Sequence, residues 1–264
     1  MRLNLIQALV CLFLTAQCAQ SEQKSHQTTE RLADKTPESP GEAPESSGAA
    51  NQDADNQAAY LNDAISDQAE AAAPAAAPRH TRRHPEGFAD ISVVAPEIIQ
   101  EIRYASDNNF MGEKIYDCAA CLLREPVAKA LAQAQQRLQA VGMGIKVFDC
   151  YRPRPYQQRL WDKKPDPNYV TPPAKGSMHS RGAAVDLTLV NAEGKELDMG
   201  TPYDFFGPEA HADYLQLPQE VLRNRQILRQ VMEASGFKGI RTEWWHFSYK
   251  GANFPLSDYV WPCR

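Results

Sequence analysis

Beyond its first twenty residues this chain has no apolar run long enough to cross a bilayer as a helix, which excludes a membrane-spanning helix once that segment is removed. It has no block of Lys and Arg among interleaved aromatics, and its formal net charge is -5, which argues against nucleic acid as a partner. It has one Cys-x-x-Cys pair, Cys118 and Cys121, and no second, so a four-thiolate structural zinc is missing half its ligands. It also lacks the two-histidine helix motif of many metallopeptidases, so any metal chemistry has to be assembled from residues far apart in the sequence. Aromatic residues are almost absent between about Gln20 and Arg83. Such a segment buries too little apolar surface to offset the entropy of ordering it.

The first residues have the form of an export signal. Arg2 supplies the positive start, Leu5 to Ala16 a short apolar core, and Ala16, Cys18 and Ala19 the small residues of a cleavage site. We read residues 1–19 as a signal peptide, 20–86 as a disordered low-complexity linker and 87–264 as one folded domain. The protein is then exported, to the periplasm on this reading. Lipid anchoring through Cys18 is the less favoured alternative, because Gln17 replaces the small residue such sites use. His26, His80 and His84, and the basic run Arg79–His84, are read as a solvated linker and junction. Export permits disulfides, so Cys118, Cys121, Cys150 and Cys263 form one or two bridges or remain buried thiols.

Within the domain, alternation over Phe88–Val94 predicts a half-buried strand, and Ile98–Tyr104 an extended piece. Pro126 opens a helix whose stripe is Val127, Leu131, Ala134, Leu138 and Val141, stopped by Gly142. Ile145–Tyr151 is a strand ending at Arg152, and Pro155–Trp161 a helical turn. Residues 162–176 form a Pro- and Lys-rich loop, a lid or rim leading into His179. Val185–Val190 is a strand with Val185, Leu187 and Leu189 on one face and Asp186 and Thr188 on the other. Gln219–Ala234 is a helix with Arg223, Arg225 and Arg229 outward. Phe237–Ile240 and Thr242–Tyr249 close the chain as a strand pair.

The chemistry gathers in two stretches, Ser177-Met178-His179-Ser180-Arg181-Gly182-Ala183-Ala184-Val185-Asp186 and Glu243-Trp244-Trp245-His246. Together they offer two imidazoles and two carboxylates, the set a catalytic zinc needs: three ligands and a base beside an open position. Each histidine alone reads as a hydrogen-bonded loop or strand residue, and only their pairing suggests a metal. His211, in a polar loop, reads as solvated. Glu243 and His246 are three apart, which on a flat strand points them to opposite faces. They share a site only at a strand end, a bulge or a tight twist. Arg152, just past a strand end, faces a cleft or pairs with a surface carboxylate. Asp204, among Tyr203, Phe205 and Phe206, holds a cation or caps a turn.

These stretches, in order with Arg103–Phe110, Cys121–Arg124, Asp149–Pro153, Tyr203–Phe205 and Ser235–Phe237, resemble the zinc D-alanyl-D-alanine dipeptidases of the vancomycin-resistance type. These belong to the zinc D,D-peptidase superfamily. The likeness spans roughly residues 88–250. It implies one zinc ion held by His179, Asp186 and His246, with Glu243 as general base and acid. It implies that Arg152 polarises the scissile carbonyl, and that Asp204 holds the substrate ammonium with Ser177 and Tyr104 in the pocket. The substrate implied is a small D-amino-acid dipeptide derived from the cell wall. The expected fold is α+β, a single domain with a central, mostly antiparallel sheet packed by helices. Two features depart from the family pattern. Cys150 replaces a small residue, and a bridge from it to Cys263 or Cys118 would stiffen Arg152. The long tether fits an exported member, whereas the resistance enzymes are cytoplasmic. Two other activities compete. A D,D-carboxypeptidase trimming peptidoglycan stems needs open space where Asp204 would capture an N-terminus. A non-catalytic wall-binding module needs neither Glu243 nor Arg152.

Overall fold

The computed structural model describes residues 84, 85, 87–167 and 169–263. The export signal, Cys18, most of the tether, His26 and His80 lie outside the described residues.

Among the described residues the domain has seven strands and four helices. They are β1 (Phe88–Asp90), α1 (Ile91–Val94), β2 (Ile99–Gln100), β3 (Leu122–Arg124), α2 (Glu125–Gln139) and β4 (Met143–Asp149). Then come α3 (Arg154–Lys163), β5 (Ala184–Asn191), α4 (Gln219–Ala234), β6 (Phe237–Gly239) and β7 (His246–Tyr249). Five strands form the main sheet in the order β2-β4-β5-β7-β6, parallel only between β2 and β4, and β1 pairs with β3 in a separate antiparallel ribbon. The expected α+β class, with an antiparallel-dominated sheet, is what the structure has.

The long elements follow the apolar pattern. Val127, Leu131, Ala134 and Leu138 of α2 are buried, and Pro126 sits in its first turn. Val185, Leu187 and Leu189 of β5, with Ile145 and Val147 of β4, join Leu131 and Leu138 of α2 and Leu228 and Val231 of α4 in one core. Asp186 and Thr188 alternate to the opposite face of the sheet, as period two requires.

Elsewhere local hydrogen bonding overrides the pattern. The strand expected over Phe88–Val94 stops at Asp90, whose Oδ1 accepts from the Ser92 N–H at 2.9 Å and the Ser92 hydroxyl at 2.6 Å. That side chain caps a helical turn and ends the extended backbone. The extended piece over Ile98–Tyr104 keeps only β2 and then coils into a 3-10 turn, Arg103–Ala105, which buries Tyr104. The turn expected over Pro155–Trp161 is a ten-residue helix. The closing strand begins only at His246, because Trp244 is anchored elsewhere: its N–H donates to Ala210 O and its indole to Thr201 Oγ1. His84 is not solvated; it packs edge-on against Tyr259 and lies 3.7 Å from Asp90.

Two further expectations are corrected. Arg225 points inward and is buried, donating to the carbonyls of Met199, His211 and Glu209 at 2.7, 3.1 and 2.9 Å. It gathers the chain between β5 and α4 onto the helix. Cys150 bridges to Cys121, not to Cys118 or Cys263, and Cys118 bridges to Cys263.

Because Arg225 satisfies three carbonyls, R225M should lower the unfolding free energy by about 2–4 kcal/mol, read from urea denaturation. A loss within measurement error would mean that water replaces the guanidinium at no cost.

Candidate active site

Three neighbouring strands set the site. Antiparallel register puts Asp149 of β4 opposite Asp186 of β5, and Asp186 opposite His246 of β7. Directly opposed residues share a face, with their Cβ atoms about 5 Å apart. An irregularity between Val147 and Asp149 makes this row possible. Val147 pairs with Leu187, so an unbroken ladder would bring Phe148 to Asp186 and Asp149 to Val185 on the apolar face. One extra residue in β4 shifts Asp149 into line with Asp186.

His179 reaches this row from a 3-10 turn, His179–Arg181, closed by Gly182 at φ 67°. A Cβ on Gly182 would lie 2.7 Å from the Phe88 ring, so only glycine lets the chain turn there. The His179 N–H donates to Ser177 Oγ at 3.2 Å. The ring's Nδ1–H donates to Cys150 O at 2.7 Å, which leaves Nε2 bare toward the row. His246 is oriented in the opposite sense: Nε2 meets Ser248 Oγ at 3.1 Å and Nδ1 faces Asp186.

The three facing atoms form a tight triangle. His179 Nε2 is 3.3 Å from Asp186 Oδ1, His246 Nδ1 is 2.9 Å from the same oxygen, and the two nitrogens are 3.1 Å apart. Neighbouring ligands of a tetrahedral ion at about 2.1 Å stand about 3.4 Å apart, so the donor set and its size fit a metal ion of that kind. The second Asp186 oxygen accepts from the Tyr203 hydroxyl at 3.0 Å. Burial pushes the Asp186 carboxyl up, but the two imidazoles outweigh it and hold the group far below the usual carboxylate range.

Glu243 lies just before β7, a strand-end position that lets it share a site with His246; its Oε2 is 3.9 Å from His246 Nδ1. Its side chain is 35 % exposed at the mouth of the cleft. Burial in the cleft is still the main influence on its carboxyl and pushes it up, with Asp186 adding to the effect and His246 opposing it. Trp245 behind it is buried edge-on against Tyr203.

Arg152 pairs with a buried carboxylate, not a surface one. Its Nε and Nη2 donate to Asp149 Oδ2 at 3.0 and 2.6 Å, and Nη1 donates to Gln157 Oε1 at 3.1 Å. Its guanidinium lies 5.0 Å from the centre of the Tyr104 ring. Asp204 has φ 59°, the only left-handed non-glycine among the described residues, and accepts from the Tyr104 hydroxyl at 3.0 Å. Burial first, then the charge of Asp186, raises its carboxyl well above the usual range.

All eight residues singled out in the sequence, Tyr104, Arg152, Ser177, His179, Asp186, Asp204, Glu243 and His246, line one cavity of about 290 Å³. Tyr169, Thr171 and Lys175 of the loop before His179 line it too, so that loop is part of the rim. Phe206 packs tilted against Tyr169 and edge-on against Phe110, with ring centroids 4.5 and 5.0 Å apart, giving the mouth an aromatic edge. His211 lies outside the cavity, its ring Nδ1 3.2 Å from Arg241.

Comparison with known proteins shows the family. A family model described as D-ala-D-ala dipeptidase matches residues 84–260. The chain belongs to that family. It is 40 % identical over 168 residues to the D-alanyl-D-alanine dipeptidase of Escherichia coli K12, covering 63 % of this chain and 87 % of the relative. It is 30 % identical over 193 residues to that of Enterococcus faecalis, covering 64 % and 94 %. It is 31 % identical over 199 residues to that of Streptomyces coelicolor, covering 66 % and 97 %. A member of the D-ala-D-ala dipeptidase family is a peptidase that hydrolyses dipeptides, so the reading as a non-catalytic wall-binding module is set aside.

In this dipeptidase-family site, sequence reasoning missed two side chains that the cavity residues depend on. Asp149 is fully buried, accepting from the Tyr116 hydroxyl at 2.7 Å and the Cys150 N–H at 2.9 Å as well as from Arg152. Tyr203 holds Asp186. Both sit inside quoted motifs, Asp149–Pro153 and Tyr203–Phe205, and their place beside Arg152 and Asp204 was the available signal.

Removing one partner of a buried ion pair leaves the other uncompensated. D149A should therefore lower the unfolding free energy by about 3–5 kcal/mol in thermal or urea melts. A near-neutral result would mean that Arg152 swings out to water and is not held.

Proposed function

We propose that this protein hydrolyses D-alanyl-D-alanine to two D-alanines with one zinc ion held by His179, Asp186 and His246. The observation that carries the reading is the ligand triangle sharing a cavity with Glu243, Arg152 and Asp204. A zinc ion held by these two imidazoles and one carboxylate would supply Lewis acidity and lower the pKa of a bound water to about 7.

The remaining chemistry belongs to the side chains. Glu243, beside His246 and with its carboxyl pushed up, takes the proton from the attacking water and gives it to the leaving amine. Arg152, fixed by Asp149 and Gln157, presents its guanidinium to the oxyanion that forms as the peptide carbonyl is attacked. A donor placed in advance for such a charge contributes about 3 kcal/mol. Asp204, with Tyr104, receives the substrate ammonium. Burial and the charge of Asp186 push its carboxyl up, and an arriving cation stabilises the charged form. Ser177 lines the pocket at the other side of His179.

The two bridges, Cys118–Cys263 and Cys121–Cys150, support an oxidising compartment. On this reading the chain divides into a signal peptide over 1–19, a tether over 20–86 and an exported, periplasmic catalytic domain over 87–264. No helix among the described residues is long and apolar enough to cross a membrane. The substrate on this reading is a wall-derived dipeptide. One observation favours the D,D-carboxypeptidase alternative: a wider groove of about 700 Å³ also borders Asp204 and Phe110 and gives room for a longer peptide.

E243A should keep one zinc per chain by elemental analysis and lose about 10²–10⁴-fold in turnover of D-alanyl-D-alanine; loss of the metal with the activity would make Glu243 a ligand. H179A should purify without zinc, and a full complement there would remove His179 from the ligand set. R152A should keep zinc and lose about 10²–10³-fold in kcat, whereas wild-type turnover would confine Arg152 to a structural role.

A further inference from the structure

The bridge between Cys121 and Cys150 has no place in the chemistry above, yet it lies directly behind a metal-ligand candidate. Two backbone groups of the segment after β4 hold His179. Cys150 O accepts from the ring Nδ1–H at 2.7 Å, and the Arg152 N–H donates to His179 O at 3.1 Å. This segment has left the sheet, because the ladder between β4 and β5 ends at the Asp149–Asp186 pair. Its ties to the ribbon include a backbone bond, Tyr151 N–H to Leu122 O at 3.0 Å, the packing of the Tyr151 ring against Phe88 with centroids 4.7 Å apart, and the disulfide, which is the one covalent tie. The other end of the bridge is well anchored, since Cys121 O accepts from the Ile91 N–H at 3.0 Å and the next residue begins β3. Both sulfurs belong to fully buried residues, whereas Cys263 of the other bridge is exposed.

The carbonyl matters because it selects the tautomer. With Nδ1 donating to Cys150 O, the lone pair of Nε2 faces Asp186 and His246. If the carbonyl moves away, the proton is free to sit on Nε2, where a ligand needs a lone pair.

We propose that the Cys121–Cys150 disulfide is a positioning element of the metal centre: it pins the Cys150 carbonyl against His179, so that full metal affinity belongs only to the oxidised chain. The inference rests on the reading of His179, Asp186 and His246 as zinc ligands. It ties assembly of the site to passage through an oxidising compartment.

The test is zinc affinity by competition with a chromogenic chelator, in the full oxidised chain, C121A/C150A and C118S/C263S, with folding followed by circular dichroism. Loss of an outer partner of a metal-bound histidine weakens binding about 10–100-fold. C121A/C150A should show that fall, while C118S/C263S loses thermal stability and keeps its affinity within about threefold, well short of that range. Unchanged affinity in C121A/C150A, or an equal fall in C118S/C263S, overturns the proposal. Absence of zinc binding in the wild-type chain would instead defeat the ligand reading. If C121A/C150A does not fold, nitrogen-15 NMR of the zinc-loaded wild-type protein decides the matter by comparing the oxidised form with the same protein after reduction, and protection of the His179 Nδ1 proton that is unchanged by reduction overturns the proposal. The proposal expects a His179 Nδ1 proton protected from solvent exchange in the oxidised form. A proton exchanging in that form as freely as that of a solvated imidazole overturns it.

Discussion

The structure depends on the burial of a polar row, Asp149–Asp186–His246, across three adjacent strands of the main sheet. Two carboxylates that keep 0 % and 3 % of their surface exposed carry a large desolvation cost and persist only if each oxygen is answered. Arg152, Tyr116 and the Cys150 N–H answer Asp149; His246 and Tyr203 answer Asp186. Nearly every functional side chain is thus also a structural partner of this row. The same requirement explains the irregular step in β4, the glycine turn after His179 and the burial of Arg152.

A second regularity follows. Asp204 and Asp186 of the cavity wall, and Asp149 behind Arg152, each accept from one tyrosine: Asp204 from Tyr104, Asp149 from Tyr116 and Asp186 from Tyr203, at 3.0, 2.7 and 3.0 Å. Burial, with the carboxylate charges beside them, pushes all three phenols well above their ordinary range, so they remain donors. A phenol stabilises a carboxylate without adding positive charge. Arg152 therefore stays the dominant fixed cation of the cavity wall, and Asp204 stays in need of one. That asymmetry suits a substrate that brings its own ammonium and develops an oxyanion elsewhere.

How much of this was legible in the sequence depended on the kind of signal. The helices α2 and α4 and the strand β5 followed from periodicity, because their packing obeys one repeat. The cavity residues followed from ordered motifs and the family they resemble, since residues as distant as His179 and His246 share no local pattern. Asp149 and Tyr203 lie inside recognisable motifs but carry no local signal of their own, because their roles exist only relative to Arg152 and Asp186 in space. The step that aligns Asp149 depends on pairing with β5 and leaves no trace in composition. Helix periodicity places a charged residue such as Arg225 outward, because it carries no information about the three carbonyls on the inner face. The disulfide partners were unreadable for the same reason: Cys121 and Cys150 meet only once β3 and the end of β4 are side by side.

The central claim is that one metal-dependent cavity captures a free dipeptide by its ammonium. It is tested most directly by offering D-alanyl-D-alanine and its N-acetyl derivative to the zinc-loaded protein, with and without a chelator. The account predicts cleavage of the free dipeptide alone, abolished by the chelator and restored by zinc. Equal cleavage of the acetylated form, or turnover indifferent to the chelator, would contradict it.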